Sequence, residues 1–484
     1  MNSYSPFEKE LDHLDEQELQ KLIDNSISEG WYIEFKSNLP IKTTKIDGIK
    51  IVKSISAFAN TKGGWLFYGV ESNDKNIATN LCGIDTSEHP NLADQLSKIV
   101  SSNIAPKPIY HFKLVPLKSG KTVFVIKIEE SPTPPYITSQ GVIYQRENNE
   151  SNPIKDRYII EKLTEKANDY YESIERFCQI DYGETKGQSE SNQSYLELYL
   201  FPLPYNEFKF DNFFSSDFFK NVAVRFYQNV DCSFVNKEGE EKKIPLNLGF
   251  NSIYSSQNSL IIRPLKDSNL IYKTTTAELF ANGSLKFLIP LYEFDINNIP
   301  RHYCESSVIK YLQDTYSPYE TVKEFNHFMF GSSYDDQREV TRRKDTDFVR
   351  HIKMIDGAEF IYVLLIIISK YKAVLEDNKF ELKTEIGFRA RVTDAWRKFV
   401  FFDNEDYLEK IKTFNLPITP KNELEIPRFV RGNYYRLDIR EQNSFFEIAR
   451  IILDAIGLPD SSSIKFGEII NEGVSRYNQH NENS

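Results

Sequence analysis

The segment from Ile49 to Glu71 constrains the fold more than any other part of the sequence. Its first part carries an apolar stripe at helical spacing, formed by Ile49, Val52, Ile55, Phe58 and Ala59. The stripe ends at NTKGG (60–64), where two glycines permit a helix cap and a close approach of the next strand. WLFYGV (65–70) is typical of a buried strand. The segment therefore predicts a helix that turns directly into a strand inside a sheet.

Helical and strand patterns alternate through the first 170 residues, which favours an α/β (α+β) domain over 1–180. The patterns predict a helix from Glu16 to Ile27 and another from Pro153 to about Ser173. They predict strands at WYIEFK (31–36), TVFVIKI (122–128) and GVIYQR (141–146).

The rest of the chain divides by composition. Residues 181–194 are polar and aperiodic and predict a linker. Short aromatic and β-branched runs predict a mainly β region over 195–300, and the region 301–484 reads as mainly α. The predicted helices there are 303–315, 356–376, 386–402 and 444–456.

Length and charge narrow the class of protein. A chain of 484 residues is long enough for two to four domains, and 40% hydrophobic with 27% charged residues is typical of a folded, soluble protein. The net charge of -11 excludes a polybasic protein that binds any polyanion through bulk charge. Nucleic-acid contact would have to come from a local patch.

Several features indicate a cytoplasmic protein that does not cross a membrane. The four cysteines show no CxxC pair or zinc spacing, and the N-terminus lacks the basic and apolar order of a signal peptide. The longest apolar run, Phe360 to Ile368, is much shorter than the ~20 residues that span a bilayer.

Glu29, Glu34 and Lys36 are the leading candidate site residues. Residues two apart on a strand share a face, so Glu34 and Lys36 should project together while Ile33 and Phe35 enter the core. Glu29 can join them if the chain bends at Gly30. Glu71, at the end of the next strand, would then complete a rim of three carboxylates and a lysine.

Such a rim suits chemistry on a phosphodiester. Carboxylate oxygens bind Mg²⁺ or Mn²⁺, and a lysine offsets the charge that develops during cleavage. The alternative is that these residues are solvated and form weak surface pairs. The same E-x4-E-x-K spacing recurs at Glu376, Glu381 and Lys383 without the glycine signals, and we interpret that copy as chance.

These motifs together resemble the Schlafen-type, Alba-like nucleic-acid-binding domain. The resemblance covers roughly residues 15–165 and rests on ExxxxEFK (29–36), AFANTKGG (57–64), GV followed by an acidic residue (69–71), and SPTPPY (131–136).

The resemblance implies a twisted mixed sheet and, in nuclease members, metal-dependent endoribonuclease activity on tRNA or rRNA. By position, Glu29, Glu34 and Lys36 match family residues. Glu71 stands where the family usually has aspartate, so Asp74 is a rival third ligand. We expect Glu29, Glu34 and Glu71 to hold Mg or Mn, and Lys36, Lys62 and Arg146 to contact nucleic acid.

We expect a Schlafen-like endoribonuclease acting on structured RNA, whose later regions act as a sensor or clamp, a layout that suits a prokaryotic antiviral defence effector. The alternative is a non-catalytic DNA- or RNA-binding regulator. Clustered carboxylates favour the enzyme, and a basic groove with diverging carboxylates favours the regulator. An ATP-binding role is a third reading, although no phosphate-binding G-x4-G-K-[ST] loop occurs. Because a single lobe covers little of a folded RNA, we also expect a homo-oligomer.

Two basic runs stay open between nucleic-acid contact and a structural role. The first contains Arg338, Arg342, Arg343, Lys344 and Arg350. The second places Arg389, Arg391, Arg397 and Lys398 around Trp396 on the predicted helix 386–402.

Overall fold

The computed structural model describes residues 4–42, 45–87, 91–180, 193–235, 241–246, 248–264, 275–296, 298–316, 353–378, 385–419, 421–438 and 444–458. The chain divides into two compact units, unit 1 (Met1–Ile174) and unit 2 (Glu175–Ser484). Most of the predicted linker, the basic run around Arg342 and most of the second E-x4-E-x-K spacing lie outside the described residues.

Unit 1 alternates helices with short strands, as the sequence predicts. Its helices are α1 (Glu16–Asp24), α2 (Gly48–Ala59), α3 (Leu92–Asn103) and α4 (Arg157–Phe177), the last of which continues into unit 2. Its strands are β1 (Ile33–Lys36), β2 (Ile41–Lys42), β3 (Lys45–Ile46), β4 (Gly64–Tyr68), β5 (Glu71–Ser72), β6 (Ala78–Asn80), β7 (Ile104–Ala105), β8 (Tyr110–Pro116), β9 (Thr122–Ile128), β10 (Ile137–Thr138), β11 (Tyr144–Glu147) and β12 (Glu150–Pro153).

The central sheet of unit 1 is mixed and has the order β1-β4-β9-β8. β1 and β4 are parallel, and the other pairs are antiparallel. Apolar clusters cover both faces: α1 packs with Ile33 and Phe35 on one face, and α2 and α3 pack with Leu66 and Phe124 on the other. The predicted α+β fold with a mixed sheet is confirmed.

Unit 2 is built on a larger antiparallel sheet. Its strands are β13 (Tyr195–Pro202), β14 (Val230–Val235), β15 (Glu241–Leu246), β16 (Ser252–Ser256), β17 (Ser259–Arg263), β18 (Thr276–Phe280), β19 (Leu285–Pro290), β20 (Glu293–Asp295), β21 (Lys353–Asp356), β22 (Ile386–Thr393), β23 (Phe399–Phe401), β24 (Leu424–Ile426) and β25 (Tyr435–Leu437). Its helices are α5 (Ser216–Tyr227), α6 (Ser307–Tyr316), α7 (Gly357–Asp377), α8 (Glu405–Phe414) and α9 (Ser444–Ile456).

The main sheet has the order β16-β17-β18-β19-β13-β22-β24, and β25 also pairs with β22. Strands from the predicted β region and from the predicted helical region therefore lie in one sheet. The helices predicted near 303–315, 356–376 and 444–456 are confirmed as α6, α7 and α9. Within the described residues, no helix is both long and apolar enough to cross a bilayer.

The helix predicted at 386–402 is wrong, because this segment forms β22 and β23. Ile386, Phe388, Ala390 and Val392 are buried and alternate with more polar positions, which is the period of a strand. The arginines between them favour helices intrinsically, but pairing with β13 decides the outcome.

Candidate functional site

The site centres on Glu34, in the middle of β1. Its neighbours Ile33 and Phe35 enter the apolar cluster beside α1, while Glu34 faces α2. The residue is only 5% exposed, so Glu34 does not stand on the open rim that the strand pattern predicts. The reason is that α2 and β11 cover the second face of the sheet, which an isolated strand pattern does not show.

Both carboxylate oxygens of Glu34 have partners. Oε2 accepts a hydrogen bond from Nη1 of Arg146 at 2.8 Å. Oε1 accepts from Oγ of Ser54 at 3.1 Å and lies 2.9 Å from Nζ of Lys36. The Lys36 side chain is 47% exposed, so it links the buried carboxylate to solvent. The predicted pairing of Glu34 with Lys36 is present.

Arg146 holds three parts of unit 1 together. Besides Glu34, its guanidinium donates to the carbonyl oxygens of Gly30 and Ile33, each at 3.0 Å, and stacks 4.8 Å from the ring centre of Phe58. The side chain is fully buried. The structure therefore corrects the predicted role of Arg146, which positions Glu34 and does not present its guanidinium to a nucleic acid.

Glu29 lies beside this pair. Its Oε1 accepts a hydrogen bond from the backbone N–H of Phe35 at 2.8 Å, which draws the bend before β1 against the strand. Burial raises the pKa of the Glu29 carboxyl, and the nearby Glu34 charge acts in the same direction. The Phe35 N–H, Lys36 and Arg146 oppose that rise. Glu29, Glu34 and Lys36 thus share one electrostatic environment, as the sequence predicts.

Glu71 and Asp74 lie on exposed chain beyond β4. Oε2 of Glu71 accepts from Nδ2 of Asn80 at 3.1 Å, across the β5–β6 pair. The backbone N–H of Glu29 donates to Asn76, so the turn that follows Asp74 runs beside Glu29. Within the described ranges, no three His, Cys, Asp or Glu side chains are grouped as a metal ion requires.

The donor set of Glu34 therefore does not fit a divalent cation in this arrangement. One oxygen is bound to a guanidinium, and the other is bound to a hydroxyl and an ammonium group. A cation would have to displace these partners, at a cost in buried ion pairing. The predicted metal site of Glu29, Glu34 and Glu71 stays a prediction.

Exposed cations flank the buried pair. We define the basic rim as Lys36, Lys53 and Tyr144. Lys53 precedes Ser54 on α2, and its Nζ lies 5.6 Å from the ring centre of Tyr144, which shares β11 with Arg146. Lys62, predicted to contact nucleic acid, is exposed in the turn after α2. Sequence reasoning missed Lys53 and Tyr144, although Tyr144 stands two residues before Arg146 and so shares its strand face.

Asn60 fixes the other end of α2. Its Nδ2 donates to the carbonyl oxygens of Tyr136 and Tyr144, each at 2.9 Å, and its Oδ1 accepts from the N–H of Tyr136 at 2.7 Å. The Asn60 side chain, in the AFANT motif, therefore ties α2 to the proline-rich loop and to β11. This contact positions the Tyr144 and Arg146 strand over β1.

Comparison with known proteins gives three results. Residues 29–155 match the model of the family described as Schlafen, AlbA_2. Among solved structures, the chain is similar to the DIP2311 protein from Corynebacterium diphtheriae at 19% identity, over 28% of this chain and 23% of that chain, with a TM-score of 0.20. No curated protein matches the chain.

The family match covers the site described above, from Glu29 through Arg146, and confirms the resemblance found in the motifs. The N-terminal part of the chain thus carries a Schlafen AlbA_2 domain, and this assignment indicates a nucleic-acid-related function.

Proposed function

We propose that the Schlafen AlbA_2 domain binds nucleic acid through the basic rim. The observation that carries the proposal is the pair of exposed lysines, Lys36 and Lys53, beside the buried Glu34–Arg146 ion pair. Lysine ammonium groups bind phosphates, and the ring of Tyr144 provides a surface against which an unpaired base can stack.

The buried pair supports this role by holding the rim in place. Arg146 joins β1, the Gly30 bend and β11, and Asn60 ties α2 to the same strand. Lys36, Lys53 and Tyr144 are therefore carried by elements that are fixed to one another, so little ordering is needed on binding. Because the chain carries a net charge of -11, the interaction depends on this local surface.

The test is RNA binding as a function of salt concentration. Each lost phosphate contact reduces the magnitude of the slope of log affinity against log salt by about 1. Lys36→Gln/Lys53→Gln should therefore reduce it by about 2. Lys118→Gln/Lys121→Gln, two exposed lysines in the turn between β8 and β9, is the control with equal charge change. An unchanged slope in the first variant, or an equal fall in the control, would contradict the proposal.

A metal-dependent endoribonuclease is the second candidate. Its support is the raised pKa of Glu29 beside Glu34 and the partly exposed Lys36, since perturbed carboxyl groups gather at catalytic sites. Cleavage of tRNA and a role in antiviral defence are the finer forms of this candidate. The structure of the site favours nucleic-acid binding over cleavage, because the Glu34 carboxylate is already bound to Arg146.

Incubation of the full chain with total tRNA separates the two candidates. If the domain is the enzyme, we expect cleavage that requires Mn²⁺ or Mg²⁺, stops with chelator and is lost in Glu29→Gln. If the domain only binds nucleic acid, we expect intact tRNA under every condition, with retarded migration on a native gel. Cleavage that persists in chelator would exclude the metal-dependent form.

A further inference from the structure

Unit 2 carries a second basic and aromatic surface, which we define as the arginine loop, residues 427–436. The segment from Pro427 to Leu437 contains three arginines, two tyrosines and a phenylalanine, with no acidic residue. This composition differs from that of the whole chain, whose net charge is -11.

The loop is an excursion along one edge of the main sheet. β24 and β25 both pair with β22, in registers that place Ile426 opposite Ala390 and Tyr435 opposite Phe388. The chain between them leaves the sheet opposite Arg389 and returns. Its tip is closed by a hydrogen bond from the Asn433 N–H to the Val430 carbonyl oxygen at 2.9 Å.

Aromatic side chains anchor the loop to the sheet. The ring centre of Phe429 lies 4.0 Å from the Arg389 guanidinium carbon and 4.9 Å from that of Arg391. Tyr434 packs against Phe201 with ring centres 5.4 Å apart. The loop therefore has fixed contacts beneath it and does not need the bound partner to order it.

Arg389 and Arg391 lie on β22 and support the ring of Phe429. Arg389 is fully buried, with Nη1 placed 2.7 Å from Glu175, and Arg391 lies between Glu197 and Glu425. These two arginines came from a run that the sequence left open between nucleic-acid contact and a structural role. The burial of Arg389 and the ion pairs of Arg391 assign both to supporting Phe429, while contact with a partner falls to the loop itself.

The outer side of the loop is basic. Arg428 and Arg431 are exposed. The Arg436 side chain is 55% exposed, lies 5.7 Å from the ring centre of Tyr434 and pairs with Glu385 at 3.4 Å, so its charge is partly offset. Tyr435 is 37% exposed. Arginines beside an accessible tyrosine match the chemistry of single-stranded nucleic acid, since guanidinium groups bind phosphates and aromatic rings stack on unpaired bases.

We propose that the arginine loop is a second nucleic-acid contact surface, which binds single-stranded RNA or DNA independently of the basic rim. Arg428 and Arg431 supply phosphate contacts, and Tyr435 supplies a stacking surface. A duplex offers phosphates but no unpaired bases, so the loop should prefer a single strand to a duplex of equal length.

The test uses the full chain and a labelled oligouridylate, with fluorescence anisotropy at several salt concentrations. Arg428→Gln/Arg431→Gln should lower the salt slope by about 1.4, at about 0.7 for each single-strand phosphate contact. Lys220→Gln/Lys310→Gln, on exposed positions of α5 and α6, is the control and should keep the original slope. Thermal melting confirms that each variant is folded.

Three results would overturn the proposal: an unchanged slope in the arginine variant, an equal fall in the lysine control, or displacement of the oligouridylate by polyglutamate at equal charge. The last would indicate a surface for acidic protein. Repeating the measurement in Lys36→Gln/Lys53→Gln separates the two surfaces, because the loop's contribution should persist there even if the basic rim binds nothing. Oligothymidylate in place of oligouridylate shows whether the 2′-hydroxyl contributes.

Discussion

Glu34 and Arg146 form an ion pair that is almost fully enclosed in unit 1. Removing two charges from water is costly, so such a pair adds little net stability compared with apolar residues of similar size. Breaking it is different, because the remaining charge stays buried without its counterion. The two residues therefore matter for the shape of the site even where neither touches a ligand.

This arrangement predicts that substitutions of Glu34 and Lys36, two positions apart on β1, have very different effects on the free energy of unfolding. Glu34→Ala should lower the free energy of unfolding by about 3–5 kcal/mol, since it leaves Arg146 buried and unpaired. Lys36→Ala, at a side chain 47% exposed, should change it by less than about 0.5 kcal/mol. Urea denaturation measures both. Equal stability of the two variants would show that the Glu34 pair is solvated.

Glu29 should make stability depend on pH. Its pKa is raised in the folded state above the ordinary 4.5, so the folded protein binds the proton more tightly than the unfolded chain. Stability should therefore fall as pH rises from the ordinary pKa through the raised one. Glu29→Gln keeps an oxygen that accepts from the Phe35 N–H but removes the charge.

We accordingly expect Glu29→Gln to melt at or above the wild-type temperature at pH values above the raised pKa, and to lose this advantage in acid. Thermal melting across a pH series measures the difference. A variant that is less stable than wild type at neutral pH would indicate that the Glu29 charge is stabilising.

At the scale of elements, the turn from α2 into β4 depends on two glycines. Gly63 and Gly64 have φ values of 69° and 155°. A Cβ at Gly63 would lie 2.5 Å from the carbonyl oxygen of Ile128, and one at Gly64 would lie 2.5 Å from the Phe58 ring. The glycine cap and close strand approach predicted from the sequence are confirmed.

Alanine at either glycine should cost at least about 2 kcal/mol, because the left-handed backbone penalty of about 1–2 kcal/mol adds to the steric overlap. Gly30→Ala is the matched control. The chain bends at Gly30 as expected, but a Cβ there meets no atom within 4 Å and its φ is not positive, so this bend does not depend on glycine. Differential scanning fluorimetry should show a clear fall in melting temperature for the first two variants only.

At the scale of the whole molecule, the chain combines an acidic balance with two local basic surfaces. The basic rim belongs to unit 1 and the arginine loop to unit 2, and each is carried by a sheet with its own core. Each phosphate contact of these cationic side chains releases counterions, so binding should weaken as salt rises.

Assembly is the remaining prediction at this scale. A single Schlafen-like domain covers only part of a folded RNA, and a symmetric pair is the commonest way to double the contact surface. We expect a homodimer or a heteromeric complex that brings two such domains around one substrate, with residues 190–484 supplying much of the interface. Light scattering at micromolar concentration should give twice the chain mass of 56.5 kDa. A monomer mass that RNA leaves unchanged would contradict the homodimer.

The sequence by itself determined the features that depend on neighbouring residues. Helical spacing and the glycine pair specified α2 and the start of β4, and the motifs from Glu29 to Arg146 identified the Schlafen-type domain. Side-chain periodicity and glycine backbone preferences are local properties, so they can be read along the chain. The alternation of buried residues in β22 is readable in the same way, although the arginines between them favour a helix intrinsically.

Only the tertiary structure decided which polar residues are buried and which partners they have. Glu34 and Arg146 are 112 positions apart, and Asn60 contacts residues 76 and 84 positions away. Strand spacing shows that Glu34 leaves the apolar face, but whether water or α2 covers the other face depends on packing across the sheet. The physical reason is that desolvation and ion pairing are set by neighbours in space, and these are brought together only when the sheet, α2 and β11 assemble.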